Sequence, residues 1–137
     1  MDISIERVEG AVPVTILSTH GELDASNYQD LIAKAREVYS SGSHNILLDL
    51  SDTPFISSSG LVALHSIATL VRGKTPPDPE SGWEALHALD RDRGSGMQHN
   101  VKLLNPQARV DRALEMTGLK QFFEIYSDRE TAIASFT

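Results

Sequence analysis

Cysteine is absent from the 137-residue sequence, so disulfide bonds, thiolate zinc sites and cysteine nucleophiles are excluded. Long hydrophobic runs are absent too, since no apolar stretch approaches the roughly 20 residues that cross a bilayer. The sequence starts Met1-Asp2-Ile3, without the basic and apolar leader of a secretory signal. We therefore expect a cytoplasmic protein without a membrane span.

Basic residues are in the minority. Lys and Arg number 12 against 19 Asp and Glu, and the formal net charge of −7 opposes binding to a phosphate backbone. The five histidines show no recurring ligand spacing, and no glycine-rich loop with a lysine is present. We expect no nucleic-acid partner, no metal and no cofactor. His65 lies beside an apolar helical stripe, which favours a packing role.

The order of hydrophobic patterns predicts one α/β domain over residues 1–137. Alternating apolar residues indicate an antiparallel opening pair of strands, the second of them half-buried around Val14 and Ile16. The unbroken apolar run at 46–50 is typical of a central parallel strand. With later strands near 101–104 and 122–126, the pattern predicts a mixed sheet of about four to five strands with helices packed on it.

Helix boundaries are predicted from capping residues. Ser26 and Gln29 have the spacing of a capping box, which predicts a helix beginning at Ser26 and ending at Ser40-Ser41-Gly42. Asn105-Pro106 has the pattern of an N-cap followed by a first helical residue, and Gly118 ends that helix. Residues 129–136 are predicted to form a closing helix.

The segment at about 74–100 interrupts these patterns and is predicted to be an insertion. A proline cluster at 76–79 cannot lie in a helix interior or a central strand. Trp83, Leu86 and Leu89 recur at helical spacing. Two interpretations stay open: a loop with a local anchor, or a flap led by Trp83 that docks a partner.

The run Phe55-Ile56-Ser57-Ser58-Ser59-Gly60-Leu61 follows the central strand and precedes a periodic apolar stretch. This order predicts strand, tight turn and helix start. Backbone N–H groups point outward at a helix start and the helix dipole is positive there, so a phosphate on a serine would be stabilised. The simpler interpretation is that one serine only caps the helix.

Two loops are predicted to be neighbours. Leu23-Asp24 and the serine run both follow strands, and ligand-facing loops of such sheets lie at the carboxyl ends of parallel strands. Asp24 has two open roles, helix capping and partner contact.

Several sequence blocks in this order resemble the STAS family, in its branch of bacterial anti-sigma-factor antagonists. The blocks are Gly21-Glu22-Leu23-Asp24-Ala25, Leu48-Asp49-Leu50-Ser51, the run from Phe55 to Leu61, Leu104-Asn105-Pro106 and Leu114-Glu115-Met116-Thr117-Gly118-Leu119. The resemblance implies a cytoplasmic regulator of transcription that binds a serine protein kinase acting as an anti-sigma factor. In that branch the kinase silences the antagonist by phosphorylating one serine.

The same resemblance implies site residues. Matching Gly60 to the glycine of the family motif makes Ser58 the phosphorylated serine. Ser57 then stands where the family has an aspartate, which is a departure from the pattern. The implied partner-binding residues are Asp24, Ser57, Ser58, Ser59, Gly60 and Val62.

Two other functions stay open. A STAS scaffold or sensor domain that is never phosphorylated suits both the Ser57 departure and the insertion. A serine hydrolase using Ser58 or Ser59 is the last alternative, although the Gly-x-Ser-x-Gly elbow is missing. We expect no catalytic residue, and a monomer or a weak homodimer.

Overall fold

The computed structural model describes residues 2–71 and 98–136. The elements in chain order are strands β1 (Asp2–Glu9) and β2 (Pro13–His20), helix α1 (Tyr28–Ser40), strand β3 (Ile46–Asp52), helix α2 (Ser58–Val71), strand β4 (Gln98–Leu104), helix α3 (Ala108–Met116), a 3-10 helix (Leu119–Gln121), strand β5 (Phe123–Tyr126) and helix α4 (Arg129–Ala134).

The strands form one mixed sheet in the order β1-β2-β3-β4-β5. β1 pairs with β2 antiparallel, and each later neighbour is parallel. The predicted fold class, the antiparallel opening and the central parallel strand are confirmed. Because the parallel strands end at one edge, the loops after β2 and β3 lie together at that edge.

Helices cover the two faces of the sheet unequally. The first face carries α1, α2 and α3, which bury residues such as Leu31, Ile67 and Leu114 against Leu17 and Leu48. The second face carries α4, whose Ala132 packs with Phe136, Val14, Ile16 and Leu47. The prediction of a half-buried second strand was therefore wrong, since Val14, Thr15, Ile16 and Leu17 of β2 are all buried.

Two helices begin later than predicted. α1 begins at Tyr28, because the Ser26 hydroxyl donates to Asp24 and Gln29 donates to the Tyr28 hydroxyl, so the capping box does not form. α3 begins at Ala108, because Asn105 adopts a left-handed φ of 54° and its N–H donates to the Tyr126 carbonyl of β5. The closing helix and the strand at 123–126 are confirmed.

The predicted insertion lies mostly outside the described residues, and Trp83 with it. Residues 98–100 belong to β4, so the strand begins before the predicted end of the insertion. No helix in the described part of the chain is long and apolar enough to cross a membrane. His65 is 1% exposed, and its ring centre lies 5.9 Å from that of Phe122, which places it in the core.

Candidate partner-binding site

The loops after β2 and β3 are joined by a short parallel bridge between Leu23 and Ile56. The Leu23 N–H donates to the Phe55 carbonyl at 3.1 Å, and the Ser57 N–H donates to the Leu23 carbonyl at 2.9 Å. The predicted proximity of the two loops is confirmed. Asp24 and the serine run therefore share one rigidly connected surface, which we call the bridge surface: Asp24, Ser57, Ser58 and Ser59.

Gly60 lets helix α2 approach this bridge. A Cβ atom at position 60 would lie 2.5 Å from Ile56 Cγ1 and 3.0 Å from both the Leu23 carbonyl oxygen and Leu23 Cγ. Gly60 does not have a positive φ, so close approach alone requires glycine there. Any larger residue would push the start of α2 away from Leu23.

Ser57 caps helix α2. The Gly60 N–H points at Ser57 Oγ at 3.4 Å, and the Leu61 N–H donates to the Ser57 carbonyl at 3.0 Å. Serine and aspartate are about equally favoured at N-cap positions, so either residue at position 57 could cap this helix. Unlike an aspartate, Ser57 brings no negative charge to this position.

Ser58 is the first residue of α2 and is exposed. Ser57 and Ser59 are half-buried beside it, whereas Gly60 and Val62 are buried. The sequence predicts that Gly60 and Val62 contact a partner, but their burial places both positions inside the domain. Gly60 lies beneath the bridge surface against Leu23 and Ile56, the Ser57 hydroxyl turns inward to the Gly60 amide, and the Ser58 side chain is exposed.

Asp24 shapes the other side of the bridge surface. The Ser26 hydroxyl and the Ser26 N–H donate to its carboxylate at 2.6 and 2.9 Å, and these bonds lower the pKa of Asp24. The Asp24 carbonyl accepts from the Tyr28 N–H at the start of α1. Asp24 thus organises its turn and also presents a fixed negative charge beside the serines.

Arg109 adjoins the bridge surface and was not predicted from the sequence. Its guanidinium lies 4.9 Å from the ring centre of Phe55, the residue two positions before Ser57. Gln107, just before α3, donates to the Ser51 carbonyl at 2.9 Å and keeps the start of α3 against the end of β3. No local sequence pattern marks Arg109, because its neighbourhood depends on the packing of a distant helix.

A serine–histidine–aspartate chain occurs elsewhere on the sheet. Ser4 Oγ lies 2.9 Å from His20 Nε2, and His20 Nδ1 lies 2.8 Å from Asp52 Oδ2. The Asp52 and His20 side chains are 71% and 39% exposed, whereas a catalytic triad requires a site that excludes water. We interpret this chain as a link between β1, β2 and β3.

Two of the surface pockets formed by described residues, of about 410 and 210 Å³, lie away from Asp24 and the serines.

Residues 2–75, more than half of the chain, match the STAS domain family. The chain belongs to the STAS domain family. No curated protein matches the sequence. The matched STAS segment contains every residue of the bridge surface together with Gly60 and Val62.

Solved structures confirm the STAS fold. A candidate anti-sigma factor antagonist of Thermotoga maritima has 21% identity and a TM-score of 0.72, covering 98% of this chain and 93% of that chain. An anti-sigma factor antagonist of Mycobacterium paratuberculosis has 18% identity and a TM-score of 0.67, covering 98% and 92%. The Bacillus cell fate determinant SpoIIAA in its phosphorylated form has 18% identity and a TM-score of 0.57, covering 96% of each chain.

Proposed function

We propose that this STAS domain is a cytoplasmic anti-sigma-factor antagonist. It binds a serine protein kinase that acts as an anti-sigma factor, and the bridge surface is the contact. The observation that carries the proposal is the exposed Ser58 hydroxyl at the first position of α2, directly above a helix cap that another residue supplies.

Phosphorylation of Ser58 is the proposed switch. A phosphate adds about −1.5 to −2 charges, which the amides and dipole of a helix start can stabilise in the free protein. At an interface the phosphate must be desolvated, and it lies on the same surface as the ionised Asp24. The modification therefore acts on binding and leaves the fold intact.

The test uses charge substitutions and calorimetry. The protein is titrated with each serine kinase of this class encoded in its genome, with ADP or ATP present. Ser58→Asp is expected to raise the Kd for the kinase that binds by at least about tenfold, which is about 1.4 kcal/mol, while the melting temperature stays nearly unchanged. Ser40→Asp adds the same charge at the end of α1, on the opposite edge of the sheet, and serves as the control. Equal affinities for wild type and Ser58→Asp would remove the switch.

One observation favours the alternative of a scaffold that is never phosphorylated. Ser57 supplies the helix cap but no carboxylate, and a carboxylate at that position could orient the acceptor hydroxyl or bind the cation of the kinase. Mass spectrometry after incubation with an active kinase and ATP separates the two functions. Phosphate on Ser58, increased by Ser57→Asp, supports the switch; tight binding with no phosphate on either protein supports the scaffold.

A further inference from the structure

Strand β1 is an edge strand of the sheet that the described residues form. Among the described strands it pairs with β2 alone, and this pairing runs without a bulge from Asp2 opposite His20 to Glu9 opposite Pro13. Ile5 on this strand is 43% exposed and is one of two exposed large hydrophobic residues in the described part of the chain. A long regular edge strand presents unpaired N–H and C=O groups that can pair with another strand.

Charge and length together favour one register for pairing β1 with itself. Two copies of β1 can pair antiparallel about a two-fold axis that is perpendicular to the sheet. The axis then passes beside one residue of the strand, which lies opposite the same residue of the other copy, and we call this residue the centre of the pair. Centring on Ile3 or on Val8 would pair only three residues of the strand. Centring on Ser4 places Asp2 opposite Glu6, whereas centring on Glu6 or on Arg7 places that residue opposite its own copy. Each of these last three arrangements opposes like charges, which destabilises a strand pair.

Centring on Ile5 avoids every such conflict. The exposed Ile5 side chain then faces its own copy, Ser4 faces Glu6, and Ile3 faces Arg7. A second observation supports this register: Ile3 lines the pocket of about 410 Å³ together with Asp30 and Glu37 of α1. This register brings Arg7 of the second copy beside that pocket, which Asp2 and Lys34 also line, with the Lys34 ammonium 3.7 Å from Glu37.

We propose that two copies of this chain associate through antiparallel pairing of their β1 strands, centred on Ile5, so that the two sheets become one. The occupant of the edge is a second copy because the exposed Ile5 then meets its own copy and the Arg7 cation faces a pocket in which carboxylates outnumber ammonium groups. The contact is one strand wide, which places it with small, transient interfaces.

The test is sedimentation equilibrium of the full chain from about 10 µM to 1 mM, the range in which weak association is resolved. The weight-average mass is expected to rise with concentration from the monomer mass of 15.0 kDa toward twice that value. Ile5→Lys is expected to weaken association by at least about tenfold, because it places two ammonium groups face to face. Met116→Lys alters the other exposed hydrophobic residue, which is 76% exposed on α3, and is expected to leave association unchanged.

Two substitutions of opposite charge at position 4 test whether the pair is centred on Ile5. Ser4→Glu places a carboxylate opposite Glu6 and is expected to weaken association about threefold, whereas Ser4→Lys is expected to strengthen it by a similar factor. Both variants lose the same contact with His20 and are checked for unchanged thermal unfolding. A constant monomer mass, an unaltered association of Ile5→Lys, or equal weakening by Ser4→Lys and Ser4→Glu would each overturn the proposal.

Discussion

Gly60→Ala tests whether close approach of α2 to the bridge controls the bridge surface. Helix propensity alone favours alanine over glycine by about 0.5–1 kcal/mol. Steric contact instead predicts that alanine lowers the free energy of unfolding. The new Cβ would lie 2.5 Å from Ile56 Cγ1 and 3.0 Å from the Leu23 carbonyl oxygen. That carbonyl is held by the Ser57 N–H at 2.9 Å and cannot move away without breaking the bridge.

Overpacking of a core by one methyl group costs about 1–3 kcal/mol. After subtraction of the propensity gain, we expect Gly60→Ala to lower the free energy of unfolding by about 1–2 kcal/mol. For a domain of this size, that is a loss of about 4–8 °C in melting temperature. Binding of the kinase proposed as partner is expected to weaken as well, since the start of α2 must shift away from Leu23.

Calorimetric unfolding measures the effect, with Ser58→Ala as a control at an exposed position of the same helix, where the change should stay within about 0.5 kcal/mol. A double-mutant cycle with Ile56→Ala assigns the cause, because removing Cγ1 relieves the contact. The double variant should then be more stable than the sum of the single changes by about 1 kcal/mol. A Gly60→Ala protein as stable as wild type would refute the steric reasoning.

Substitutions at three further positions test the cap of α2, the cap of α4 and the buried ammonium group of Lys102. Ser57→Ala is expected to lose about 1 kcal/mol of stability in thermal unfolding, whereas Ser57→Asp keeps the cap and loses none. The Thr131 hydroxyl and N–H lower the pKa of Asp128 below its ordinary 3.8, so its stabilising contribution is present above that pH and lost as pH falls through the lower folded value. Asp128→Asn should therefore reduce the acid dependence of unfolding below about pH 4. Lys102 is 4% exposed and donates to Ser135, so Lys102→Ala is expected to cost about 2–4 kcal/mol and Lys102→Met less.

The succession of strands and helices along the chain and the proximity of the two loops could be predicted because they depend on local patterns. The apolar run at 46–50 marks a strand covered on both faces, and hydroxyl residues followed by Gly60 mark a helix start. The Ser57 cap was also within reach, since it lies three residues before Gly60, the usual spacing between an N-cap and the amide it accepts from.

The errors have tertiary causes. Asparagine is a residue type favoured at N-caps, but the Asn105 N–H donates to the carbonyl of Tyr126, in a strand that follows later in the chain. On β2 the expected residues Val14 and Ile16 pack with α4, but Leu17 on the other face packs with the cluster of α1, α2 and α3, which covers that face as well. Arg109 escaped prediction for the same reason, since its place beside Phe55 depends on how α3 docks.

The adjacent Ser57 and Ser58 hydroxyls occupy different environments, one turned inward to the Gly60 amide and the other outward to solvent. The hydroxyl of Ser57 therefore stabilises the helix, whereas the hydroxyl of Ser58, one residue later, is the one that solvent and other molecules can reach. Evolution can alter one property without disturbing the other, and an engineer could retune the exposed position on an unchanged scaffold.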